Sequence, residues 1–162
     1  IGKGDFDGQY GELCALAETA QSIKDELIRS VDADPVAFNE VIAGLRMAKD
    51  TPEQIAVRSQ TIRAGYKSAS EVPLQTAQWC RQVLDLCQDA ANIGNMAVMS
   101  DAGVGALMAY AGVQGAIHNV RINLPNTRDE AFINRMEATL DQLLTESKKR
   151  CEAIQEQVAN SY

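Results

Sequence analysis

The sequence predicts an all-α fold, a multi-helix bundle built around a Gly/Ala-rich buried central helix and closed by a long C-terminal one. Two observations carry this. Apolar residues recur at three- or four-residue spacing between successive turn signals, without the strict alternation of a strand. The stretch Ser100–Leu124 also carries a nearly bare helical stripe, made of Ala102, Gly105, Ala109, Gly112, Ala116, Asn119 and Asn123. Glycine inside a helix costs about 1 kcal/mol relative to alanine, so this segment is a poor helix by propensity alone. Close approach of a neighbouring backbone along the bare stripe is the expected compensation. A second stripe of Val104, Leu107, Met108 and Ala111, reaching His118, faces a different neighbour, so the helix is expected to be covered on more than one side.

The elements follow in order. Ile1–Gly8 holds three glycines and two aspartates and is expected to be a loop. From Gln9, Leu13, Leu16, Ala20, Ile23, Leu27 and Val31 mark an amphipathic helix. Asp34 and Pro35 offer an N-cap and first-turn proline for a second helix carrying Phe38, Val41, Ile42 and Leu45, so Pro35 either breaks or kinks the run. Lys49 and Asp50 form a turn, and Thr51, Pro52 and Gln54 begin the next helix as a capping box. That helix runs to about Ser70. Pro73 permits another start near Glu71, and Leu74, Ala77, Val83, Leu84, Cys87 and Ala91 keep the helical period until Gly94.

Asn95–Met99 is then a connection into the central helix, with Ser100 as N-cap, Asp101 in the first turn and Pro125 as the stop. Thr127 and Glu130 read as a further capping box, and no breaker follows before Asn160. A helix of ~30 residues would reach about 45 Å, long enough to require a partner helix or another subunit. Phe132, Met136, Leu140, Leu143, Leu144, Ile154 and Val158 form its apolar side.

With 162 residues, the chain is expected to form one domain over 1–162 with an aliphatic core, aromatics being only 5%. A net charge of -7 without a Lys/Arg cluster argues against nucleic acid and anionic membrane surfaces as partners. No apolar run approaches the ~20 residues of a bilayer span. Cys14, Cys80, Cys87 and Cys151 form no CxxC pair, and with one histidine they leave no zinc constellation. Free thiols point to a reducing, cytoplasmic compartment.

Several motifs in register carry a resemblance. Glu71-Val72-Pro73-Leu74, Gly94-Asn95, Ser100-Asp101-Ala102-Gly103-Val104 and Asn119-Val120-Arg121-Ile122-Asn123-Leu124 resemble the cyclodeaminase/cyclohydrolase family of one-carbon folate enzymes. Asp32, Asp34, Ala37 and Phe38, then Lys49-Asp50-Thr51, are similar to the family's upstream motifs. The resemblance implies a helical homodimer with a folate site close to the subunit contact. It also implies conversion of 5,10-methenyltetrahydrofolate with water to 10-formyltetrahydrofolate, or ammonia release from 5-formiminotetrahydrofolate, with no cofactor besides the folate substrate. Two departures stand out. The family opens with a Gly-rich loop and first helix that have no counterpart before Ile1-Gly2-Lys3, and this chain has Ala97 where the family often has a second asparagine.

Methenyltetrahydrofolate carries a delocalised cation on the carbon between two nitrogens. A fixed carboxylate could stabilise that cation or take the proton of the attacking water. Asp101 and Asp34 are the candidates for this work, although each is also explained by a helix start. Asn119 and Asn123 place two carboxamides one turn apart, suited to the pterin edge or to fixing a helix contact. Ser100, Asn95 and Asp32 are expected to help bind substrate, and Lys49 and Arg121 to attract the glutamate tail. His118 and Trp79 read as packing groups, as does Met108. No Glu-x-x-His pair of the di-iron bundle type occurs, so metal catalysis is not expected.

Overall fold

The computed structural model describes residues 10–93 and 96–161, so the expected loop over 1–8, Gly94 and Asn95 lie outside the described residues. Among these residues there are four helices: α1 Tyr10–Arg46, α2 Pro52–Asn92, α3 Met96–Thr127 and α4 Glu130–Ala159. The second helix, α2, is the axis of the bundle: it packs on each of the other three, and α3 also packs on α4. No Cα of α1 comes within 8 Å of α3 or α4.

The bare stripe meets α2 as its composition requires. A Cβ added at Gly105 would stand 2.9 Å from Cys87 Sγ, and one at Gly112 would stand 2.7 Å from Cys80 Sγ. Ala102, Ala109 and Ala116 on the same stripe are buried. At the α1–α2 contact the obstacle is backbone rather than side chain, because a Cβ at Gly65 would meet the backbone nitrogen of Val41 at 2.9 Å. Val113, Ile117, Val120 and Leu124 of α3 meet Phe132, Met136 and Leu140 of α4 in the main core. Burial of each large aliphatic side chain there contributes about 1.5–3 kcal/mol. All four cysteines are free. Burial pushes the thiols of Cys80, Cys87 and Cys151 up, which makes them packing groups rather than nucleophiles.

All three interior prolines are carried inside helices. The first run passes through Pro35 unbroken, so Asp34 caps nothing, and α2 continues through Pro73 with no new start near Glu71. A proline leaves the carbonyl four residues earlier without its helical donor. At Pro73 that carbonyl belongs to Ala69, and Asn123 Nδ2 from α3 donates to it at 2.9 Å. A tertiary hydrogen bond thus replaces the missing helical one, while Pro73 itself is buried.

The third helix begins at Met96, which corrects the expected connection through Met99: Ser100 lies one turn inside the helix and is not its cap, and Asp101 is not in its first turn. Pro125 is not the stop either, since α3 reaches Thr127. Thr127 does not cap α4. Its hydroxyl is buried and donates to Leu124 O at 2.7 Å, and Asp129 caps α4 instead by accepting from Phe132 N at 3.0 Å. The Thr51–Gln54 capping box is present, with Thr51 Oγ1 accepting from Gln54 N at 3.3 Å and Gln54 Oε1 from Thr51 N at 3.3 Å. Asn160 follows the end of α4.

Lys67 Nζ donates to Asp129 Oδ2 at 2.5 Å, joining α2 to the start of α4. This hydrogen bond, with a second from the Phe132 N–H, holds the Asp129 carboxyl below the usual carboxylate range. A depressed folded-state pKa adds stability that is complete above the unfolded value, at about pH 4, and is lost as pH falls through the folded value. Asp129→Asn, which keeps a capping side chain, should therefore melt below the wild type at pH 7. The difference in Tm should close at lower pH, and a difference that persists unchanged at pH 2 would show that the charge is irrelevant.

The second stripe of α3 has no neighbour among the described residues. Val104, Met108 and Ile122 are 59%, 71% and 72% exposed, and Leu107, Ala111 and His118 lie open beside them. His118 and Met108 are therefore not core groups of the single subunit, whereas Trp79 is half-buried. Val104, Met108, Ala111, Gly115, His118 and Ile122 alternate spacings of four and three, the seam pattern of paired helices.

Candidate active site

Asp34 on α1 and Asn119 on α3 face one another across a cleft of about 330 Å³ floored by Val72, Pro73 and Thr76 of α2. Ser30 and Val31 complete the α1 wall, and Gly112 and Ala116 the α3 wall. The cleft exists because α1 and α3 pack on different sides of α2, while the small residues of α3 leave the space between them open. Asp34 has no ion-pair partner among the described residues. Its carboxylate is therefore available to a cation arriving from solution, with a carboxamide across the cleft to bond a ligand's polar edge.

The other sequence-predicted residues lie elsewhere. Asn123 is one turn beyond Asn119, but its side chain is engaged with Ala69 O and holds the helix contact. Asp32 is exposed two residues before Asp34, on a different face of α1. Ser100 and Asp101 are exposed near the start of α3, with Asp101 about 27 Å along the axis from Asn119. Lys49 is exposed in the turn between α1 and α2. Arg121 is already occupied, its Nε bonded to Glu137 at 2.9 Å and its Nη2 to Asp141 at 2.6 Å, which raises its pKa, the Glu137 hydrogen bond foremost.

A larger recess of about 930 Å³ lies between α2 and the α3–α4 turn, lined by Arg63, Lys67, Arg128 and Asp129 among others. Size alone does not make it the site. It contains none of the predicted residues, and Lys67 there is neutralised by Asp129. The smaller cleft brings together a carboxylate without an ion-pair partner among the described residues, a carboxamide and parts of three of the recognised motifs. Among the described residues no group of three or more His, Cys, Asp or Glu side chains is placed to hold a metal ion.

Ser30 and Thr76 were not expected in the site. Their hydroxyls donate back to Leu27 O at 2.7 Å and Val72 O at 3.1 Å, which leaves oxygen lone pairs free. Ser30 stands four residues before Asp34, so a continuous α1 puts both on one face. Reading α1 through Pro35 as unbroken would have found it.

A family model described as formiminotransferase-cyclodeaminase matches residues 1–142. The chain belongs to the formiminotransferase-cyclodeaminase family. A relative in this family, the methenyltetrahydrofolate cyclohydrolase of Methylorubrum extorquens, is 35% identical over 98% of this chain and 76% of its own length. The formimidoyltransferase-cyclodeaminase of Gallus gallus is 38% identical over 91% of this chain, but that match covers 27% of the relative. The fold matches the crystal structure of formiminotetrahydrofolate cyclodeaminase from Thermotoga maritima, with a TM-score of 0.73 over 99% of this chain and 73% of that one, at 21% identity.

Proposed function

We propose that this chain is a methenyltetrahydrofolate cyclohydrolase, using the Asp34–Asn119 cleft to add water to 5,10-methenyltetrahydrofolate. The observation that carries the reading is the convergence of Asp34, of Val72 and Pro73, and of Asn119 on one cleft, three segments far apart in sequence. The cyclohydrolase relative, 35% identical over 98% of this chain, supports this choice.

In the reaction, water oxygen bonds to the methenyl carbon, its proton passes to Asp34, and the electron pair of the C=N bond returns to nitrogen. The adduct then collapses: its hydroxyl gives up its proton to solvent and becomes the formyl C=O, the bond from carbon to N5 breaks, and the proton on Asp34 passes to that nitrogen. Asp34 contributes twice, first by opposing the positive charge of the bound cation and then as general base. Asn119 holds the ring edge across the cleft. The substrate's own cation is the electrophile, so the reaction is drawn without a cofactor. Loss of the 5,10-methenyltetrahydrofolate absorbance tests the reading, with ammonia release from the 5-formimino compound measured alongside. Hydrolysis of the first is the expected result. Turnover of the formimino compound alone would select cyclodeaminase, and turnover of neither would end the enzyme reading.

The functional unit is a homodimer paired along the exposed α3 seam, in the reducing cytoplasmic setting that free thiols suit. The seam is self-complementary in the sense an isologous contact needs, with small Ala111 and Gly115 at its middle and Val104, Met108 and Ile122 around them. Met108→Glu should give a folded monomer by sedimentation at concentrations where the wild type is a dimer. A variant that remained dimeric would place the contact elsewhere.

A further inference from the structure

We infer that the backbone carbonyl of Val31, freed by Pro35, is a second acceptor that orients the attacking water beside Asp34. The inference rests on the proposed hydrolysis and adds a role for a backbone carbonyl that holds the attacking water rather than the folate. Pro35 stands inside α1 and has no N–H to donate to the carbonyl four residues before it. That carbonyl belongs to Val31, which lines the cleft with Ser30 and Asp34. At Pro73, which itself lines the cleft, the equivalent carbonyl is occupied by Asn123, whereas no side chain among the described residues donates to the Val31 carbonyl.

The geometry of a helix makes the two acceptors neighbours. A carbonyl points along the axis toward the residue four positions on, so the oxygen of Val31 comes level with Asp34 and Pro35. The Asp34 side chain leans back toward the N-terminal turn that contains Ser30 and Val31. A nucleophilic water has two hydrogens. With one directed at the Asp34 carboxylate and the other at the Val31 carbonyl, its remaining lone pair is aimed outward at whatever fills the cleft. Asp34 then receives the proton as the oxygen–carbon bond forms, while the hydrogen held by Val31 stays on oxygen until the bond to N5 breaks and the formyl C=O forms, when it leaves to solvent. A water fixed by two acceptors has lost the freedom that would otherwise oppose the addition.

Pro35→Ala tests this because it moves stability and activity in opposite directions. Alanine restores the N–H, which closes the helical hydrogen bond to Val31 and removes the acceptor from the cleft. The variant should melt at least about 4 °C above the wild type. Its kcat for methenyltetrahydrofolate should fall about ten- to a hundredfold with KM within about twofold, since substrate binding does not use this carbonyl. A stabilised variant with unchanged kcat would overturn the inference, as would KM and kcat shifting together. Failure of the hydrolysis reading itself would show differently, as a wild-type protein that does not turn over the substrate.

Discussion

Asp34→Asn reduces kcat for methenyltetrahydrofolate hydrolysis by about 10²–10⁴, the range over which a positioned general base acts, and leaves Tm unchanged. The stability half of this expectation follows from position: Asp34 is exposed, caps no helix and has no ion-pair partner among the described residues. No ion pair among the described residues is lost when its charge is removed. The activity half follows from the cleft, where it is the one carboxylate on the wall facing Asn119. Steady-state kinetics beside a thermal melt measure both. A variant within about threefold of wild-type kcat would mean that the proton goes elsewhere. Asp101→Asn is the informative companion, because Asp101 lies far from Asn119 along the same helix. A collapse of activity there, with Asp34→Asn active, would move the site to the other end of α3.

Gly65→Val should be the most damaging single change to the fold. The first Cβ atom would sit 2.9 Å from Val41 N and 3.1 Å from the Glu40 carbonyl carbon, both backbone, so no rotamer change relieves it. Overpacking of this kind typically costs 1–3 kcal/mol, and the rigidity of the obstacle puts this case at about 3 or above. For a chain of this size that lowers Tm by about 6–12 °C. The damage is directed at α1, so activity should fall with it through displacement of Asp34. Gly11→Ala is the control, since an added Cβ there meets nothing within 4 Å. A Gly65→Val protein that melts with the wild type would show that α1 and α2 stand further apart than described.

What could be read in the sequence, and what could not, follows the range of the forces involved. The bare stripe was legible because a row of Gly and Ala at helical spacing has one economical explanation, and Cys80 and Cys87 fill the space it leaves. The Thr51–Gln54 capping box was legible because both its hydrogen bonds are local. Pro73 and Pro125 were misread because their effect was judged from local sequence alone. Pro73 is tolerated inside α2 through a donor from Asn123, fifty-four residues beyond Ala69, and no local rule reaches that far.

The same limit governed the site. Asp34 and Asn119 were each visible as polar residues in recognised motifs, but only the three-helix packing pairs them. Arg121 was visible as a free cation for the glutamate tail and is in fact bound by Glu137 and Asp141, which depends on the register of α4 against α3. Ser100 and Asp101 were placed at a helix start that lies one turn earlier. The open seam of α3 was legible as apolar but not as exposed, because a sequence does not say which neighbour belongs to the same chain.

The first helix leans its backbone on α2 alone, with no Cα within 8 Å of a Cα in α3 or α4. A folate lodged between Asp34 and Asn119 would thus be a strut between two rods that the polypeptide itself leaves unbraced. Occupancy would stiffen the very wall that carries the base, and an empty enzyme would hold that wall least firmly just when a new molecule has to enter.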